Sequence, residues 1–115
     1  MITALSAVAG FIAVALGAFG AHALESGFDE KQMGWWQTAT LYLLVHAALA
    51  TGLSAASVER YGAATGVLLI GAVIFAGTLY AMALGAPRWL GAITPIGGLG
   101  LLAGWALIGW AALKA

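Results

Sequence analysis

Two histidines, His22 and His46, are the side chains here best suited to carry a proton or hold a metal near neutral pH. His46 stands in a long uncharged stretch. Thr38, Tyr42 and His46 recur every fourth residue, which places them on one slowly turning face of a helix. At ~1.5 Å per residue, His46 lies ~12 Å beyond Thr38, close to the midplane of a bilayer that such a helix would cross. An ionisable group at that depth is expected to face the protein interior, as a proton acceptor or the floor of a polar pocket. The plainer reading is a neutral histidine bonded to a neighbouring helix. His22 precedes Glu25 by three residues on the same helical face, so a local His–Glu pair competes with a gate or relay shared with His46.

Several chemistries are excluded by the same residues. His22 and His46 differ in depth by roughly two helical turns, too much for the two axial ligands of one haem. A zinc site would need more ligands than the visible His and Glu supply, so no metal and no cofactor are expected. The chain has no cysteine, which removes disulfides, thiolate metal sites and thiol nucleophiles. With zero formal net charge and no basic run, nucleic acid is not an expected partner. No nucleophile–base pair stands out, so an intramembrane enzyme built from Tyr, His and Thr is the third choice of function.

The elements that position these residues are set by charge. Only eight of the 115 residues are charged, at Glu25 to Lys31, at Glu59-Arg60, at Arg88 and at Lys114. Between them lie four uncharged, mostly apolar stretches: Met1–Leu24, Gln32–Val58, Tyr61–Pro87 and Trp89–Leu113. About 20 apolar residues cross the ~30 Å hydrocarbon core, so each stretch can span a membrane. With 63% hydrophobic residues and 7% charged, no water-soluble fold of this length could hide its apolar surface, and lipid must solvate it. The expected fold is all-α, an integral membrane antiparallel four-helix bundle forming one domain, with spans at about 2–24, 37–57, 62–84 and 93–113.

The first stretch ends in an A-x-A-like site at Ala21-His22-Ala23, as a secretory signal peptide would. No Lys or Arg precedes it and it is longer than a signal's apolar region, so it reads as a retained first span. The 17 glycines suggest close helix packing inside spans, and Ala13, Gly17 and Ala21 form a small-residue stripe. Trp35 and Trp36 read as an interfacial anchor, and Asp29-Glu30 favour the start of the second helix. Ser57 to Gly62 reads as a tight turn. Thr94-Pro95 fits a helix cap followed by proline, with Trp89–Ile93 as a short interfacial segment. A helix from Arg88 kinked at Pro95 is the rival. Four spans put both termini on one side. Lys and Arg tie at two per side, and the free amino group tips the termini towards the cytoplasm.

Up-and-down topology gathers the end of span 1, the start of span 2, the end of span 3 and the start of span 4. That end holds most of the polar residues: His22, Glu25, Gln37, Thr38, Thr40, Tyr42, Thr78, Tyr80, Arg88 and Thr94. The other half holds little beyond Thr3, Ser6, Thr51, Ser54, Ser57 and Thr65. Small multidrug-resistance transporters also have four spans, but they depend on a carboxylate inside the first. Here Glu25, Asp29, Glu30 and Glu59 all lie outside the apolar cores, which leaves His46 alone to carry proton coupling.

Taken together, Gly17-Ala18-Phe19-Gly20-Ala21-His22-Ala23-Leu24, Trp36-Gln37-Thr38-Ala39, Tyr42, His46-Ala47, Gly77-Thr78-Leu79-Tyr80, Leu90-Gly91-Ala92-Ile93-Thr94-Pro95-Ile96-Gly97-Gly98 and Gly104-Trp105 resemble the YgdD-like family of small membrane proteins, a domain of unknown function. The resemblance runs nearly the whole chain. It implies a four-helix protein of the bacterial inner membrane and no transferable activity.

The leading expectation is a non-enzymatic membrane protein with a polar pocket opening on the first-loop side. It would take a small molecule, a lipid headgroup or a proton. His46 would form its floor, Tyr42 and Tyr80 its walls, and His22, Gln37, Arg88 and Thr94 its mouth, and Thr38 and Thr78 are further candidates. The alternative is a structural subunit of a larger membrane complex, docked through glycine-lined faces, or a homo-oligomer.

Overall fold

The computed structural model describes all 115 residues, and they form four long helices. Helix α1 covers Ile2–Phe19 and passes into one π-helical turn, Gly20–Leu24. Helix α2 covers Glu30–Ala56 and α3 covers Val58–Ala83. A short 3-10 helix, Arg88–Ala92, leads into α4, Thr94–Leu113. All four long segments are long and apolar enough to cross a membrane. The all-α, four-helix membrane architecture expected from the charge spacing is the one the chain adopts.

Local chemistry places the helix ends. Asp29 is the N-cap of α2: its carboxylate accepts from the Gln32 backbone N–H at 2.7 Å, and the Gln32 side chain accepts from the Asp29 N–H at 3.0 Å. The reversal after α2 is made by Ser57 alone, in an extended conformation, with its hydroxyl accepting from the Arg60 N–H at 3.2 Å. Glu59 and Arg60 therefore lie in the first turn of α3, where a longer turn to Gly62 was expected. Gly85, at φ 106°, makes the left-handed step that ends α3 before Pro87. Thr94 does not cap α4. The N-cap is Ile93, Pro95 occupies the first turn, and the Thr94 hydroxyl bonds elsewhere.

Successive helices run antiparallel. Along α1 and α2, Thr3 meets Ser54 and Gly17 meets Thr40. Along α2 and α3, Gln32 meets Ala83 and Tyr42 meets Phe75. Along α3 and α4, Thr78 meets Thr94 and Leu68 meets Gly104.

Packing follows chain order. Helix α1 packs on α2, α2 on α3 and α3 on α4, whereas α1 and α4 share no contact. Helix α1 meets α3 only slightly, with Ile2 beside Gly66. On α3, Gly66 looks towards α1, while Gly71, Phe75 and Thr78 meet α4 on the opposite side. Helices α2 and α3 thus form a central pair with α1 and α4 on opposite flanks, in a flattened body of 49 × 27 × 19 Å.

Small residues make these contacts close. A Cβ placed on Gly71 would lie 2.8 Å from the Leu101 backbone N, and one on Gly97 would strike the Phe75 backbone. The α3–α4 contact is therefore backbone against backbone, the mode that small residues permit in membranes. Ala13, Ala39, Ala47, Ala50, Ala72 and Ala83 are fully buried along the seams.

Candidate functional site

The polar residues of the first-loop end do not meet in one cavity. They separate by the flank on which each lies.

On the α1 flank, Trp36 is buried. Its Nε1–H donates to the Leu16 carbonyl at 2.8 Å, where α1 gives way to the π-helical turn. A Cβ on Gly20 would strike the Trp36 indole, so Gly20 is the space that the ring fills. The Trp36 ring meets Tyr80 edge-on at 4.6 Å, and the Tyr80 hydroxyl pairs with Thr40 Oγ1 at 2.7 Å. Thr40 in turn donates to the Trp36 carbonyl at 3.0 Å. Tyr80 therefore belongs to a closed, satisfied core network and does not reach the side of α2 that carries His46. Trp36 is a core residue, not the interfacial anchor expected alongside Trp35.

On the α4 flank, His46 is 7% exposed. Trp105 Nε1–H donates to His46 Nε2 at 3.1 Å, and His46 Nδ1 faces the Tyr42 carbonyl at 2.7 Å. Indole nitrogen is only a donor, so Nε2 must carry a lone pair and the proton must sit on Nδ1, donating to Tyr42. The imidazole is neutral and both nitrogens are engaged. The Tyr42 ring stacks 6.0 Å from His46 and tilts against Phe75 at 4.6 Å.

Between α2 and α4, over Phe75 of α3, lies a lateral groove of about 520 Å³. Its walls are mainly apolar, and Tyr42, His46, Pro95 and Trp105 line it. Deeper towards the first-loop end, Thr78 and Thr94 pair at 2.7 Å, one hydroxyl donating to the other, and the accepting one turns its own proton to a backbone carbonyl, Ile74 for Thr78 or Leu90 for Thr94.

The remaining expected residues lie at the surface. His22, Gln37 and Thr38 are exposed. Arg88 is exposed and sits over the Trp35 ring at 5.8 Å, with Lys31 at 5.7 Å from the same ring. Tyr42 and His46 are the two expected site residues that share one groove. Trp105 completes it, although nothing in its sequence context marks it as a partner of His46. That pairing is a tertiary contact between α2 and α4, and no local periodicity encodes it.

Burial also reverses an expectation. The half that looked poor in polar residues contains the most deeply buried hydroxyls: Ser6, Ser54 and Thr65 are essentially inaccessible. Thr3 donates to Ser54 at 2.8 Å, and Ser54 donates to the Ala50 carbonyl at 2.7 Å. Thr65 Oγ1 has no partner.

Comparison with known proteins agrees with this architecture. The family model described as "Protein of unknown function (DUF423)" matches residues 16–98. The UPF0382 inner membrane protein YgdD of Escherichia coli K12 is 42% identical over 107 residues, covering 90% of this chain and 82% of that protein. A UPF0382 membrane protein of Staphylococcus epidermidis is 40% identical over 116 residues, covering 96% of this chain and 93% of its own. One from Staphylococcus haemolyticus is 39% identical over 110 residues, covering 90% and 88%. No solved structure matches.

Proposed function

We propose a function from one premise: this chain belongs to the DUF423 family, and it is a multi-pass protein of the bacterial inner membrane. Its work is to hold a small amphipathic molecule or lipid in the groove between α2 and α4, without covalent chemistry. The observation that carries this reading is a neutral, hydrogen-bonded His46 in the wall of a groove that is otherwise apolar. Pockets of this kind, mainly apolar with a few oriented polar groups, suit small-molecule binding. Tyr42 is 39% exposed beside His46 and offers a hydroxyl to a ligand. A proton relay fits less well, because neither imidazole nitrogen has a free lone pair to receive a proton.

Mass spectrometry of molecules retained by the purified protein tests the reading. Wild type is expected to hold a lipid or small molecule that His46→Ala loses. Identical retention by both would sink it.

A second reading has its own support. On the α1 flank, Gly10, Ala48 and Gly52 line a separate apolar groove of about 690 Å³, a surface another membrane helix could occupy in a larger complex. A stoichiometric subunit that co-purifies with wild type and is lost from Gly52→Leu would favour this scaffold role.

A further inference from the structure

The face of α2 turned towards α4 does not stop at His46. Lys31, Trp35, Thr38, Tyr42 and His46 follow one another at spacings of four, three, four and four residues, so one stripe runs from the first turn of α2 to the groove. At the membrane-surface end of that stripe two cations converge on one indole. Lys31 Nζ lies 5.7 Å from the centre of the Trp35 ring, and the Arg88 guanidinium lies 5.8 Å from it. Around them is a cavity of about 350 Å³, lined also by Asp29, Gln32 and Pro87.

This is an unfavourable place for two positive charges. Lys31, in the first turn of α2, and Arg88, at the start of the 3-10 helix, line the same cavity, so like charges meet there. The nearest acid in the cavity, Asp29, is committed to capping α2. An anion that enters this cavity balances the two charges. Trp35, one turn beyond Lys31, is a residue type that favours the level of lipid headgroups.

We infer that Lys31, Arg88 and Trp35 form a seat for the phosphate of an anionic lipid, whose apolar chain follows the α2 stripe past Thr38 into the groove at Tyr42 and His46. The inference rests on the groove reading above and names its ligand class: a phosphate-bearing amphiphile. Seven residues separate Trp35 from Tyr42, or ~10 Å along the helix, a distance that a lipid chain covers with ease. Thr38, exposed between them, leaves the path free of a bulky side chain.

The test uses the full chain in bilayer nanodiscs of phosphatidylcholine and phosphatidylglycerol, with retained lipid read by mass spectrometry after gentle detergent release. Wild type is expected to enrich phosphatidylglycerol. The K31Q/R88Q double variant should lose that enrichment by roughly tenfold or more, given the contribution of each cation near a membrane surface, while keeping its total lipid. The charge-conserving K31R/R88K variant should keep the preference. His46→Ala should lose lipid of both kinds. Circular dichroism confirms that each variant is folded.

An enrichment that survives in K31Q/R88Q overturns the headgroup seat and leaves the groove reading intact if His46→Ala still loses lipid. Full lipid retention by His46→Ala overturns the groove reading, and with it the single bound lipid. Inorganic phosphate bound by wild type and lost in K31Q/R88Q, with no phosphatidylglycerol enrichment in wild type, shows that the cations take free phosphate and overturns the lipid assignment.

Discussion

At the residue scale, His46 shows how far a side-chain type constrains its role. Its place in the middle of an uncharged helix was legible from the chain, as was its inward orientation. Its partner was not, because Trp105 lies on another helix and both residues have plausible lives alone. The geometry makes a sharp prediction: nitrogen NMR of His46 should show a neutral ring protonated on Nδ1, and the opposite tautomer would contradict the Trp105 contact. Trp105→Phe keeps an aromatic ring, smaller than indole, and removes the donor. Its coupling to His46, read from a double-mutant cycle with His46→Phe in reversible unfolding in detergent, should be about 0.6 kcal/mol and at most about 1.7, the range measured for interhelical hydrogen bonds in membranes. Trp35 and Trp36 show the limit of reading by type. Adjacent residues on a helix point ~100° apart, so one indole meets cations at the surface while the other is buried against Gly20 and Tyr80. Two neighbouring tryptophans look alike in sequence, and only the direction of the next helix tells them apart.

At the scale of elements, helix number and order followed from eight charges, since a charge in hydrocarbon is costly and its position marks a boundary. Helix contacts were legible only as a tendency. Glycine is so frequent here that the chain does not disclose which glycines touch. The structure separates them. Gly97 lies against the Phe75 backbone, which cannot swing aside, whereas Gly77 has open space around it. Gly97→Ala is therefore expected to destabilise the α3–α4 pair by about 1–3 kcal/mol, the usual cost of overpacking. Gly77→Ala should be neutral or slightly stabilising, because alanine is the better helix former. Thermal unfolding of both variants in the same detergent checks the pair, and equal behaviour would refute the contact. The π-helical turn after α1 was not legible either. It begins at Gly20, against which the Trp36 indole packs, and nothing in Gly20–Leu24 taken alone announces it.

At the scale of the whole molecule, the polar residues were expected to enclose one pocket because a closed bundle brings all four helices around one axis. The helices do not share an axis. With α1 and α4 on opposite flanks of α2 and α3, residues of the same end face different ways, which divides Tyr80 from His46 and leaves His22 apart from both. Depth was readable from sequence position, and azimuth was not. Topology itself remains simple: four spans return the chain to the side on which it began. Reporters fused at either end should therefore agree with each other. We expect both to read cytoplasmic and a reporter in the Glu25–Asp29 connection to read the opposite side. A disagreement between the two ends would contradict the four-span arrangement.

Because every long helix packs mainly on its neighbours in sequence, the chain has a natural order of assembly. Helix α2 can dock as soon as it leaves the ribosome, since α1 is already in the bilayer, and α3 and α4 repeat the step. The His46–Trp105 bond, which joins α2 to α4, closes last. Contacts between sequence neighbours are also the kind that form fastest. A chain cut in the Leu84–Pro87 connection should still leave a native α1–α3 core, to which α4 supplied as a separate peptide can dock from the side.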